Sequence, residues 1–343
     1  MARPDEGLAF MLRYENVAWY EDGKVRILDR RIYPAKVVYV ECARHEEVAG
    51  AIADMVTQSG GPYTAAAMGM ALAAYEARAM PEAEFIEYME KAAYGLSHAR
   101  PTTAKKMEKV TASCLAVAEA ALKQGERVDE AVFGHAVELT DSRYERSRKA
   151  AKYLAPKIPE NGTIMTQCFA ETVVGMILRE CRERGNAIKV ICPETRPYFQ
   201  GARLTASVAQ DMGFDVTVIT DNMPAHVIKA KGVDLFTSAA DVICMDGHVI
   251  NKIGTFQIAL AASYWGIPYY VIGTPNREHP TVDTVKIEER DCNLVLEAMG
   301  ARTAMEGVKG YYPAFDITPP KLCDGVVTDK GIFSPFDLAG YYS

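Results

Sequence analysis

The strongest constraint on this chain lies beyond Pro156 and Pro159, where short β-rich runs begin to alternate with amphipathic helical segments. Residues 163–166, 188–192, 216–220, a fourth run near 233–237, and 269–272 read as strands. Residues 171–183, 201–212, 224–231 and 255–265 read as helices between them. Strand, helix, strand at this spacing predicts a parallel sheet covered on both faces, a doubly wound, Rossmann-like α/β domain. The fourth strand stays ambiguous, because residues 242–245 form an equally apolar run.

The chain before that point has a different texture. Residues 17–20 and 24–28 read as strands joined by Glu21-Asp22-Gly23, a hairpin turn. Helical periodicity then governs residues 45–58, 65–79, 81–95, 103–123 and 128–150, with Pro81 at a first helical position and Gly125 at a helix stop. The expected division is a mostly helical N-terminal domain with a small β-hairpin, residues 1–150, followed by a Rossmann-like domain, residues 151–343.

A length of 343 residues fits two domains. The 38 Lys and Arg against 45 Asp and Glu give a net charge of −7 with no block of like charge, which argues against nucleic acid held through phosphates. No apolar run reaches the length of a bilayer span, so no membrane partner is expected. The N-terminus carries Asp5 and Glu6 where a secretory signal is basic and then apolar, and the cytosol is the expected compartment. The eight cysteines show neither C-x-x-C pairs nor neighbouring His at ligand spacing, so no metal site or disulfide framework is read and most should be buried apolar residues.

Ligands of doubly wound sheets bind beyond the carboxyl ends of the strands. The residues there are reactive: Gln167-Cys168, Glu194-Thr195-Arg196, Asp221-Asn222, Asp241 and Thr274. Cys168 fits a packed free cysteine by type. By position, between a strand and a helix opening near Glu171, it also fits a thiolate stabilised by free backbone N–H groups. Asp241 fits equally a turn cap and an acid facing a dry pocket with a raised pKa. Arg196, Gln200 and Arg203 have the donors to hold a phosphate or sugar hydroxyls beside the helix starting at Gly201, and Asn251-Lys252 offer the same chemistry at the next helix. Neither a P-loop nor a G-x-G-x-x-G run occurs, so neither a nucleoside triphosphate nor a dinucleotide is indicated.

Several ordered strings resemble one family over nearly the whole chain. They are Glu194-Thr195-Arg196-Pro197, Gln200-Gly201-Ala202-Arg203-Leu204-Thr205-Ala206, Ala240-Asp241, Asn251-Lys252-Ile253-Gly254-Thr255, Ile287-Glu288-Glu289-Arg290 and Pro313-Ala314-Phe315-Asp316-Ile317-Thr318-Pro319. Trp19, Asp22-Gly23, Leu28-Asp29 and the Arg100-Pro101-Thr102-Thr103 turn fit as well. The set is similar to the methylthioribose-1-phosphate isomerases, a family that also holds ribose-1,5-bisphosphate isomerases and non-catalytic regulatory subunits of a translation initiation factor complex.

The resemblance implies an aldose–ketose isomerase with Cys168 and Asp241 as the catalytic pair, acting on 5-methylthioribose 1-phosphate or a close 5-substituted ribose 1-phosphate in methionine salvage. It implies substrate binding by Arg100, Gln200, Asn251, Lys252, Gly60, Gly61 and Arg196, no metal or organic cofactor, and a homodimer. The chain departs from the family at Ser59-Gly60-Gly61-Pro62, where the family usually has Arg-Gly-Ala-Pro, and at Phe169-Ala170-Glu171 after the cysteine. A different pentose phosphate such as ribose 1,5-bisphosphate, or sugar-phosphate or nucleotide binding without turnover, are the alternative readings.

Overall fold

The computed structural model describes residues 3–100, 104–298 and 300–343. The chain divides into two units, residues 1–145 and 146–343, a division that falls within its longest helix. Pro101-Thr102-Thr103, most of the expected turn after Arg100, lies outside the described residues.

In the first unit a single helical turn, α1 (Tyr14–Val17), leads into the hairpin of β1 (Ala18–Glu21) and β2 (Lys24–Leu28), and β3 (Tyr39–Cys42) adds antiparallel to β2. Asp22 and Gly23 both have positive φ, 48° and 73°, the twist that suits a two-residue hairpin turn. The helices follow: α2 (His45–Ala53), α3 (Gly61–Ala77), α4 (Glu82–Ser97), α5 (Ala104–Gln124) and α6 (Val128–Leu154). Helix α2 ends short of the expected residue 58, with Met55 just beyond it at φ 61°. Pro81 is the N-cap of α4 rather than its first helical residue.

The centre of this unit is α3, in which 14 of 17 residues are buried. Its Ala, Gly and Met side chains form no stripe, because α2, α4, α5 and the hairpin approach it from several sides. The hairpin is tied to α6 by the Tyr20 hydroxyl, which donates to Asp129 at 2.8 Å, and by an edge-on contact of Trp19 with Phe133.

The second unit runs β4 (Thr163–Met165), α7 (Thr172–Glu183), β5 (Lys189–Pro193), a π-helical stretch (Gly201–Thr205) continuing into α8 (Ala206–Asp211), β6 (Asp215–Ile219), α9 (Pro224–Ala230) and β7 (Leu235–Ala239). Next come β8 (Val242–Ile243), β9 (Val249–Lys252), α10 (Thr255–Trp265), β10 (Tyr269–Ile272), α11 (Asn293–Leu296), β11 (Glu297–Ala298), β12 (Ala301–Arg302), β13 (Phe315–Thr318), β14 (Gly325–Thr328) and β15 (Gly331–Phe333). The main sheet has the order β15-β14-β10-β7-β4-β5-β6. Its six neighbours from β14 to β6 pair in parallel, and β15 closes one edge antiparallel, so the sheet is mixed where an all-parallel one was expected.

Numbered from β4, the parallel strands lie in the order 3-2-1-4-5-6, so the winding reverses between β4 and β7. The ambiguous fourth strand resolves into two: residues 235–239 enter the main sheet as β7, while 242–243 join a separate antiparallel sheet of order β13-β9-β8. Among the described residues no helix is long and apolar enough to cross a membrane.

Because α3 is enclosed on every side, added volume has no room to go. Ala71→Leu, at a fully buried position, is expected to lower unfolding stability by about 1–3 kcal/mol, read from urea denaturation.

Candidate active site

The reversal between β4 and β7 opens a crevice at their carboxyl ends, and Cys168 and Asp241 follow those two strands. A pocket there is lined by Thr166, Gln167, Cys168, Thr205, Ser238 and Ala239, with the apolar face of α7 (Val173, Val174, Ile177) behind them.

The backbone of Cys168 is held from two directions. Its N–H donates to Thr195 Oγ1 at 3.2 Å, and its carbonyl accepts from Thr205 Oγ1 at 2.5 Å. Thr195 is fixed in turn by Asp221, whose carboxylate accepts from the N–H groups of Thr195 (2.8 Å) and Arg196 (2.7 Å). The ends of β4, β5 and β6 are thereby linked. Cys168 (φ 59°), Glu171 (47°) and Thr195 (63°) all sit in the left-handed region, which costs a non-glycine residue roughly 1–3 kcal/mol each. These bonds hold Cys168 in that conformation at the crevice.

The small sheet supplies the opposite wall. Asp241 N–H donates to Ile250 carbonyl at 2.9 Å, which sets Asp241 beside the end of β9, where Asn251 and Lys252 lie. In β13, Asp316 pairs with Asn251 and Phe315 with Lys252. Asn251 Nδ2 donates to Thr255 Oγ1 at 3.0 Å, and Gln167 Nε2 donates to Ile253 carbonyl at 3.0 Å, joining this turn to the segment carrying Cys168. Gly254 completes the turn at φ 103°; a Cβ there would meet Gln167 Nε2 at 2.8 Å.

Lys252 is buried, and its ammonium, 4.9 Å from the centre of the Phe315 ring, has no hydrogen-bond acceptor among the described residues. Burial lowers its pKa, opposed by Cys168, Asp241 and Glu288. Burial also pushes the Cys168 thiol up to about 11; Lys252 pulls it down, Asp241 pushes it up, and the Phe169 N–H and Arg290 pull it down again. The expectation of a thiolate stabilised at the helix start is therefore corrected. Loss of hydration outweighs the local donors, and Cys168 is a neutral thiol near pH 7.

Asp241, expected as an acid in a dry pocket, is exposed. The chain leaves the main sheet after β7; Ala240 still packs against the core of this unit, and Asp241 is the residue that reaches the surface. Two acids here have raised pKa values: burial, and then the neighbouring Asp221 carboxylate, push Glu194 up, and burial lifts Asp316 from 3.8 to about 6, even though its carboxylate accepts from the N–H groups of Gly254 (2.7 Å) and Phe256 (3.1 Å).

Gln200 is buried just ahead of Gly201, and its Oε1 has no hydrogen-bond partner among the described residues. The bonds of Arg196 lead elsewhere, to the carbonyls of Glu297 (2.6 Å) and Leu294 (3.4 Å), and Arg203 donates to the Tyr198 carbonyl. Gly60, Gly61 and Arg100 belong to the first unit. Gly60 is the N-cap of α3, and Gly61 has a packing reason to be glycine, because a Cβ there would lie 1.9 Å from Thr57 Oγ1. Arg100 is half-buried beyond α4. Six of the eight cysteines are buried, as expected; Cys292 is exposed and Cys168 intermediate.

Among the described residues, His45, Glu46 and Glu76 are the one group with side-chain atoms close enough to share a metal. Glu76 is already bonded there by the His45 N–H and the Tyr88 hydroxyl. Sequence reasoning missed the clamp made by Thr195 and Thr205, and it missed Glu288, Arg290, Tyr312, Phe315 and Asp316 as site residues. Their strings were visible, but only tertiary pairing sets them beside Lys252.

A doubly wound unit with a thiol and a carboxylate at the two strand ends flanking its switch point has the form of a small-molecule site. The chain belongs to the Initiation factor 2 subunit family, which matches residues 59–335. Among its relatives, the methylthioribose-1-phosphate isomerase of Thermotoga neapolitana is 34% identical, covering 94% of this chain and 96% of the relative. That of Heliobacterium modesticaldum is 35% identical, covering 92% and 95%. The crystal structure of the 5-methylthioribose 1-phosphate isomerase from Pyrococcus horikoshii matches with a TM-score of 0.85 at 30% identity, covering 95% of this chain and 94% of that one. The delta subunit of translation initiation factor eIF-2B from A. fulgidus matches with a TM-score of 0.82 at 33% identity, covering 93% and 96%.

The raised pKa of Asp316 gives a signed pH dependence. Its native state holds a proton more tightly than the unfolded chain, so its contribution to stability is present below pH 3.8 and is lost as pH rises towards 6. Asp316→Asn removes that loss. The stability of the variant relative to the wild type should rise by roughly 1–3 kcal/mol between about pH 4 and pH 6 and stay level above, in urea denaturation at stepped pH.

Proposed function

We propose that this chain is an aldose–ketose isomerase that converts 5-methylthioribose 1-phosphate into the corresponding ribulose 1-phosphate, a step of methionine salvage. The observation that carries this reading is similarity to enzymes of that name over more than nine-tenths of both chains. Cys168 and Asp241, at the strand ends flanking the switch point, agree with it. The helical N-terminal domain, residues 1–150, and the Rossmann-like catalytic domain, residues 151–343, work in a cytosolic homodimer.

The chemistry follows from the substrate. The anomeric oxygen is esterified, so the ring opens only when its own oxygen takes up a proton. Balance then requires that the ring oxygen and C1 each gain a hydrogen while C2 and its hydroxyl each lose one. Cys168 and Asp241 share this work. The thiol enters neutral, because burial holds it up to about 11, and it carries a proton to or from the reacting carbons, while Asp241 exchanges protons with the ring oxygen. Lys252 and Asn251 hold phosphate and hydroxyl oxygens, and Gln200 accepts from a sugar hydroxyl; the buried Lys252 and the bare Gln200 Oε1 support those roles. Gly60, Gly61, Arg100 and Arg196 belong to the proposal as further contacts to the sugar phosphate.

Two other readings have a specific observation behind them. Ser59 stands where the resemblance leads one to expect an arginine, which favours a differently charged sugar such as ribose 1,5-bisphosphate. The likeness to an initiation factor subunit favours binding without turnover.

A panel of pentose 1-phosphates assayed for ketose formation separates the three, with turnover fastest on the 5-methylthio sugar expected; no ketose from any member overturns the isomerase reading. Cys168→Ser and Asp241→Asn are each expected to reduce kcat by at least ~100-fold with unchanged thermal melting, and near-normal activity of either removes it from the pair. With deuterium at C2 of the substrate, label lost to water marks proton transfer, and label fully retained in the product marks a direct hydride shift.

A further inference from the structure

Arg290 lies on a segment that the proposed chemistry leaves unused. Its N–H donates to the Tyr312 carbonyl at 3.0 Å, and Ala314 N–H donates to the Glu288 carbonyl at 2.8 Å, so the segment runs against the strand leading into β13. The Arg290 side chain is nine-tenths buried and donates through Nε to Glu288 Oε1 at 2.7 Å. It lies 5.8 Å from the centre of the Phe315 ring, the same ring that Lys252 Nζ approaches at 4.9 Å. Two buried cations thus share one aromatic ring beside Cys168.

Like charges brought this close and out of water repel, and each disfavours the other's ionised form. Among the described residues the compensation is incomplete. Glu288 Oε1 holds Arg290, but among the described residues Glu288 Oε2 is buried without a hydrogen-bond partner, and Lys252 Nζ, over the Phe315 ring, donates to no acceptor. The Tyr312 hydroxyl lies against Arg290 without a well-aligned hydrogen bond of its own. Such a set is stabilised by an anion that accepts from both cations and from the phenol.

We propose that Arg290, oriented by Glu288, completes with Lys252 a two-cation seat for the anionic oxygens of the substrate beside Cys168, with the Tyr312 hydroxyl as a third donor. This rests on the sugar-phosphate isomerase reading and extends it. Arg290 is a positioning residue as well as a binding one, because its charge also favours the ionised form of the thiol. The charged groups facing that thiol are Lys252 from β9, Asp241 from the end of β7 and Arg290, with the Tyr312 phenol beside them.

The test uses the full chain with Arg290→Met and Arg290→Lys, and two readouts. The first is alkylation of Cys168 by iodoacetamide, followed on the Cys168 peptide by mass spectrometry so that exposed Cys292 does not interfere. Loss of the charge should raise the thiol pKa, which lowers alkylation near pH 9 by about twofold or more. The second is isomerase activity, in which Arg290→Met should lower kcat by more than about tenfold and raise KM, with Arg290→Lys restoring the alkylation rate and part of kcat. An unchanged alkylation rate together with a kcat within about twofold of wild type overturns the seat. A wild-type chain that turns over no sugar phosphate, yet shows the slowed alkylation in Arg290→Met and its rescue by Lys, overturns the isomerase reading and retains the electrostatic arrangement.

Discussion

The candidate site depends on a run of hydrogen bonds across three strand ends, from the Asp221 carboxylate to the backbone of Thr195 and from Thr195 Oγ1 to the backbone of Cys168. Parallel strands end side by side but do not by themselves fix the turns that follow them. Here the side chain after β6 holds the turn after β5, and that turn holds the one after β4. With Thr205 gripping the Cys168 carbonyl, the thiol stays in a backbone conformation that an unsupported cysteine rarely adopts. Rigid placement of this kind is what the proton-carrying role proposed for Cys168 requires.

Against that fixed thiol the small sheet β13-β9-β8 sets a counter-wall of charge. Strand register pairs Phe315 with Lys252 and Asp316 with Asn251, and Asp316 caps the backbone N–H groups at the start of α10. The two sides oppose each other electrically. Loss of hydration raises the thiol and lowers the ammonium, while their mutual attraction works the other way. Both groups are therefore held nearer neutrality than they would be in water, a poise suited to moving protons rather than to simple ion pairing.

The alternation of strands and helices beyond residue 156 was legible because period-2 and period-3.6 patterns are local, and α10 and β10 fall at the expected residues. Strand β14 (Gly325–Thr328) went unread, because only Val326 and Val327 in it are apolar and Gly and Thr flank them. Residues 235–239 and 242–243 could not be told apart in advance, since each is an apolar run and only pairing decides which sheet takes it. Helix α3 was read from helical periodicity at residues 65–79 and runs Gly61–Ala77; its burial on all sides leaves that periodicity little to report at its ends.

Chemistry divided along the same line. That Cys168 and Asp241 stand immediately after strands was a property of the sequence, as were the absence of nucleotide-binding glycine motifs and the ordered strings that mark the family. The ionisation of those groups was not, because burial depends on what the rest of the chain brings up to them: the thiol expected to be lowered is raised, and the acid expected to be buried is exposed. The sequence by itself determined the strand–helix alternation and put reactive side chains at strand ends, since both follow from short-range pattern. Only the tertiary structure decided that winding reverses between β4 and β7, that Thr195 and Thr205 clamp Cys168, and that Arg290 meets Lys252 across Phe315. These are contacts between residues far apart in the chain, and electrostatic strength in such places is set by the water that folding removes.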